Sequence, residues 1–155
     1  MSSPSKWFKA REFECRCGKC GLDQVHERLL NLLDKTREQL GVPLRINSGV
    51  RCGEGKGQFN YNQQIGGTSN SAHLPYSAGK GKGRGLVGLA ADVTYSASSQ
   101  RSPLNMTRLW LALEANGRPV SLGLGLYPSF VHVDVRGIIG KSAARWEDKY
   151  FPWPR

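Results

Sequence analysis

Between residues 22 and 40, apolar side chains recur at spacings of three and four. Leu22, Val25, Leu29, Leu32, Leu33, Thr36 and Leu40 share one face, which predicts an amphipathic helix over residues 22–40. Gly41 and Pro43 supply its stop. Leu44 to Ser48 and Leu89 to Tyr95 read as strands. Residues 53–88 are poor in apolar side chains and rich in Gly, Ser and Asn, which predicts mostly loop. Within them, Ala78 to Gly85 is a low-complexity basic run. A second helix is expected from Ser102 as N-cap, with Pro103 in its first turn and Met106, Leu109, Trp110 and Leu113 as its buried stripe, ending at Gly117. Val120 to Leu126 and Ser129 to Val135 read as a hairpin around Tyr127–Pro128. Residues 1–13 read as a loosely held arm, and the aromatic tail RWEDKYFPWPR is expected to pack back on the body. This order of elements predicts one small α+β domain over residues 1–155, a small antiparallel sheet with flanking helices.

Composition adds a partner class. Hydrophobic residues make up 39% of the 155 and charged ones 22%, which excludes a disordered chain. No apolar run approaches the ~18–20 residues that span a bilayer. The opening MSSPSKWFKAREFECRC has basic residues with no apolar stretch behind them, so no secretory signal is expected. The formal net charge of +10 predicts an anionic partner: nucleic acid, a membrane surface or an acidic cell-wall polymer.

Chemistry concentrates in three segments: Ser48 to Arg51, Ser71 to Asp92, and FVHVDVR from Phe130 to Arg136. In a strand, side chains alternate between faces. Val131, Val133 and Val135 would face the core, leaving His132, Asp134 and Arg136 together on the other side. Two histidines and one carboxylate with an open fourth position form the ligand set of a catalytic zinc site. His73, Asp92 and His132 would supply it. By spacing alone, any one of the three is more often a surface or hydrogen-bonded residue than a ligand. His26, on the polar side of the first helix, has no partner motif.

Four motifs then stand in a telling order: SGVR (Ser48 to Arg51), N-x-x-x-G-G-x-x-x-S-x-H (Asn62 to His73), G-x-A-x-D (Gly88 to Asp92), and G-x-G-x-Y (Gly123 to Tyr127) running on to FVHVDVR. Together they resemble the zinc D-alanyl-D-alanine peptidases, a group that spans vancomycin-resistance dipeptidases, peptidoglycan endopeptidases and phage L-alanyl-D-glutamate endolysins. Its fold is shared with the hedgehog signalling domain. The resemblance covers residues 13–136 and extends to REFECRCGKC and the helix end LGVPL, as in short single-domain members. It implies zinc held by His73, Asp92 and His132, with Asp134 as general base because no acid precedes His132 at Ser129, Phe130 or Val131. It also implies Arg51 as the group that holds a substrate carboxylate or steadies the oxyanion, and Ser71 and Tyr127 on the substrate side. One spacing departs from the family pattern. His73 and Asp92 are nineteen positions apart instead of seven, so Leu74 to Gly85 is an insertion, either a cationic flap at the site's rim or a solvated loop.

The resemblance implies a peptidase acting on peptidoglycan stem peptides or cross-links. Size, charge and the expected lack of a signal suit a phage endolysin, made in the cytoplasm as a monomer and released to the bacterial wall. Anionic wall polymer would then be the partner of the positive charge. Two rival classes remain: a non-catalytic, zinc-containing wall-binding domain, and a basic nucleic-acid-binding protein, which is disfavoured because no recognition-helix or ribbon motif appears. Cys15, Cys17, Cys20 and Cys52 form either a structural zinc site or a disulfide from the cluster to Cys52, with buried free thiols as the plain alternative.

Overall fold

The computed structural model describes residues 5–53, 61–68, 71–77 and 86–153. Helix α1 spans Glu27–Leu40, α2 Tyr61–Gln64 and α3 Pro103–Gly117. The strands are β1 (Leu44–Ser48), β2 (Tyr76–Ser77), β3 (Leu86–Val87), β4 (Ala90–Tyr95), β5 (Gly123–Leu126), β6 (Val131–Asp134) and β7 (Ala144–Glu147). Five of them form one sheet in the order β1-β4-β6-β5-β7, and β2 and β3 form a separate ribbon. All pairs in the sheet are antiparallel except β5 with β7. The molecule is thus a small α+β fold, as the sequence predicts.

Alternation along the strands divides the sheet into two faces. Ala91, Val93, Leu124, Leu126, Val131 and Val133 join the core with Leu29 and Leu33 of α1 and Met106, Leu109 and Leu113 of α3. The opposite face carries Asp92, His132 and Asp134 alongside Gly123 and Gly125. The hairpin of β5 and β6 turns at Tyr127–Pro128 as expected.

Local signals set the helix ends. The Ser102 hydroxyl accepts from the Asn105 amide at 3.1 Å, and α3 begins at Pro103. Gly41 ends α1 in the left-handed region at φ 69°. The start of α1 is a correction: it begins at Glu27, not Leu22. His26 is its N-cap, with Nδ1 accepting from the Arg28 amide at 3.1 Å. Residues 22–25 lie outside the helix instead, because their backbone is already used. The Cys15 amide donates to Leu22 O at 2.8 Å, and Gly88 N to Gln24 O at 2.8 Å.

The expected loose arm is also corrected over residues 5–13. Phe8 and Phe13 are buried in the core. The Ser5 hydroxyl and the Lys6 amide both donate to the Asp34 carboxylate. A 3-10 turn over Ala10–Phe13 lies against β1. The stretch expected to be mostly loop contains α2 and the β2–β3 ribbon; its basic run, residues 78–85, lies outside the described residues. The tail returns as expected, with β7 on the sheet edge and Phe151 buried. Among the described residues no helix is long and apolar enough to cross a membrane.

Candidate metal centre

Register places Asp92 of β4 directly opposite His132 of β6. His73 reaches them from the loop after α2. That loop is shaped by the Asn62…Gly66-Gly67 motif: Gly67 N donates to Asn62 O at 2.8 Å, and Asn62 Nδ2 donates to Thr68 O at 2.9 Å. The insertion does not displace His73. Its two ends pair as β2 and β3, with Tyr76 opposite Val87 and Ser77 opposite Leu86, so the chain leaves the site and returns at the same place.

Three ligand atoms converge there. His73 Nε2 lies 3.2 Å from Asp92 Oδ1 and 3.2 Å from His132 Nδ1, and His132 Nδ1 lies 3.0 Å from Asp92 Oδ1. The partners of the other ring nitrogens decide where the protons sit. His73 Nδ1 faces the Gly49 carbonyl at 2.7 Å, so it carries the hydrogen and leaves Nε2 bare. His132 Nε2 faces Asp134 Oδ2 at 2.8 Å, so it carries the hydrogen and leaves Nδ1 bare. Two lone pairs and a carboxylate oxygen then point at one another, an arrangement that repels unless a cation sits among them. Zinc bonds of about 2.0–2.1 Å at the tetrahedral angle set ligand atoms about 3.3–3.4 Å apart, close to the observed triangle. The donor set fits zinc.

The electrostatics agree. Burial alone would raise the Asp92 pKa, but the close approach of the His132 and His73 rings outweighs it and holds the carboxyl below its usual range, the ionised form that ligates a cation. Burial pushes the His73 pKa down and favours the neutral ring that a metal needs. For His132, burial acts downward, and Asp134 and Asp92 overcome it and raise the pKa, so without a metal the two carboxylates favour a second proton at Nδ1, which a bound cation would displace. Arg51 donates from Nη2 to Asp92 Oδ2 at 3.0 Å and from Nε to Ser48 Oγ at 3.1 Å, which leaves Asp92 Oδ1 turned to the two rings.

The structure gives Asp134 partners that the sequence reading did not foresee. It is wholly buried, and both its oxygens are engaged. Arg136 grips it with Nε and Nη2, each at 2.8 Å, while Oδ2 also accepts from His132. The carboxylate therefore meets His132 at the nitrogen turned away from the triangle, the position from which an outer carboxylate orients a histidine that binds metal. Strand alternation puts Asp134 on the right face but does not say which ring nitrogen it meets.

An open cavity of about 670 Å³ lies over the triangle, with Arg51, Ser71, Tyr127, Phe130, Arg136 and Trp146 in its lining. Ser71 Oγ accepts from the His73 amide at 3.2 Å, so it shapes the ligand's turn as well as facing the cavity. Tyr127 stacks on Phe130 with ring centroids 4.4 Å apart, and its hydroxyl accepts from Trp146 Nε1 at 3.0 Å. Trp146 is a site residue the sequence reading missed; its ring lies 5.2 Å from that of His132. The signal was the G-x-G of β5. A Cβ on Gly125 would run into the Trp146 indole, and one on Gly123 into the Asp134 carboxylate and the Arg136 guanidinium. The glycines are there for the space they leave.

The four cysteines also come together, with their Sγ atoms all within 4.8 Å of one another and all four thiols free. They lie on the other side of the Ser48–Gly53 loop from the His73 imidazole.

No curated protein matches the chain. A family model described as Peptidase M15 matches residues 6–134, a span that takes in all three converging ligands and ends at Asp134. Most of the chain lies within that match, and the chain belongs to the Peptidase M15 family of zinc-dependent peptidases.

Proposed function

We propose that this protein hydrolyses peptide bonds of bacterial peptidoglycan, in stem peptides or cross-links, and that it is a wall-degrading enzyme of the phage endolysin kind. The observation that carries the reading is the triangle of His73 Nε2, Asp92 Oδ1 and His132 Nδ1 at the floor of an open cavity, in a chain of this family. Zinc bound there would polarise a substrate carbonyl and acidify water. The chain's own residues do the rest. Asp134 and Gly49 O hold the ring protons of the two histidines away from the metal side. Arg51 holds Asp92 Oδ2 and presents a permanent positive charge at the cavity, where a peptide carboxylate or a developing oxyanion would lie. Tyr127, Phe130 and Trp146 give the opposite wall flat apolar surface for the substrate.

One observation favours a second reading. Asp92 and Asp134 are the only acids among the described lining residues, and both are committed to other partners. A site without a free carboxylate suits a domain that keeps zinc and binds the wall without cutting it. Mass spectrometry of purified peptidoglycan after incubation separates the two. Hydrolysis is expected, with new amino termini that identify the bond, and a chelator should abolish it until zinc is restored. Tight wall binding with an unchanged peptide profile would establish the non-catalytic reading.

A further inference from the structure

Nothing in the zinc chemistry described above uses the cysteines, yet their arrangement is that of a built site. Cys17-Gly18-Lys19-Cys20 forms a tight turn in which the amides of Lys19 and Cys20 both point at Cys17 Sγ, at 3.4 and 3.3 Å. Gly18 and Gly21 adopt φ of 73° and 66°, a region side chains resist, and open space surrounds both, so the turn's own curvature is what requires them. The fourth cysteine comes from elsewhere in the chain. Cys52 donates its amide to Cys15 Sγ at 3.3 Å across 37 positions, and Cys52 Sγ accepts from the Tyr61 amide at 3.3 Å. Amide donors aimed at sulfur stabilise thiolates, the form that binds metal.

We propose that Cys15, Cys17, Cys20 and Cys52 hold a second zinc ion, structural in role, that staples the N-terminal segment to the loop carrying Arg51. Zn–S bonds of about 2.3 Å place tetrahedral sulfurs about 3.8 Å apart, within reach of a cluster whose Sγ atoms lie within 4.8 Å of one another. A disulfide would use two sulfurs and strand two. A tetrahedral ion uses all four, which matches four free thiols gathered at one point. The ion and its thiolates would carry net negative charge, and the residues interleaved with the cysteines, Arg16 and Lys19, are cationic.

The staple acts on the other metal centre through the Ser48–Gly53 loop. Gly49 lies hard against the Phe13 backbone, and the Val50 amide donates to Phe13 O at 2.9 Å. The same loop offers Gly49 O to His73 Nδ1 and donates the Arg51 amide to His73 O at 2.9 Å. Fixing Cys52 against Cys15 therefore fixes both the carbonyl that orients His73 and the guanidinium that holds Asp92.

The test is a metal count on the full chain, purified under reducing conditions and dialysed against metal-free buffer. Two zinc ions per chain are expected in the wild type, and one in His132→Ala. Cobalt loaded into His132→Ala should show the intense sulfur-to-metal charge-transfer bands of a tetrathiolate site. In the double variant Cys17→Ser, Cys20→Ser those bands should be gone and one zinc should remain. Should that double variant fail to fold, the His132→Ala count and spectrum decide alone. The proposal is overturned by one zinc in the wild type with none in His132→Ala. It is equally overturned if a separate sample, purified, stripped of metal and denatured without any reductant, titrates two thiols instead of four, which would establish a disulfide.

Discussion

At the residue scale, the centre depends on which nitrogen of each histidine is bare. Gly49 O and the Asp134 carboxylate settle this for His73 and His132, and Asp92 completes the set. Removing a ligand removes the ion: His73→Ala and His132→Ala should each lose the histidine-site zinc and all hydrolysis, measured by metal analysis beside a digestion assay. Asp134→Asn is the sharper experiment. If the carboxylate orients His132, zinc affinity should fall about 10- to 100-fold, with activity recovering as zinc is added in excess. Full zinc with a lasting loss of turnover would instead restore Asp134 as general base. Gly123→Ala should resemble Asp134→Asn, because the new methyl occupies the space of the Asp134–Arg136 pair. The three groups that converge were legible in the sequence because their motifs stand in order. The role of Asp134 was not: a period of two assigns it a face, whereas its partners, Arg136 and His132 Nε2, depend on rotamers and on the absence of a side chain at Gly123 one strand away.

At the scale of elements, the sheet register does the placing. Asp92 faces His132 across β4 and β6, and Gly125 faces His132 across β5 and β6, which clears the path for Trp146 from β7. The body of α1, α3 and the β5–β6 hairpin were readable because caps and periods mark them, whereas α2 is a single turn with no apolar period. The N-terminal segment was not, since Phe8 and Phe13 follow no period and dock as single anchors. β7 escaped for a related reason: ARWE at a sheet edge alternates between half-buried and exposed, with no apolar run to announce it. The anchoring is measurable. Phe8 is 5% exposed, so Phe8→Ala should cost about 3–5 kcal/mol in urea unfolding; a truly loose arm would lose nothing.

At the scale of the whole molecule, the formal charge of +10 is the dominant long-range feature, and the inserted segment holds three of its cations in five residues, Lys80, Lys82 and Arg84. Those three lie outside the described residues, in the stretch of sequence between β2, which follows His73 in the chain, and β3, which precedes Asp92. Under the proposed function, they are expected to meet an anionic wall polymer. Exposed charges act over a Debye length of ~10 Å at 0.1 M salt, so the contribution belongs to binding at low ionic strength and vanishes as salt rises. Replacing all three by Gln should weaken binding to intact walls at low salt and leave it unchanged at high salt, followed by sedimentation of wall fragments with bound protein. Turnover of a short neutral stem peptide should stay within about two-fold of the wild type, because Arg51 and the ligand triangle are untouched. Equal losses on walls and on the short peptide would mean instead that the ribbon shapes the centre itself, through His73 and Asp92 at its two ends.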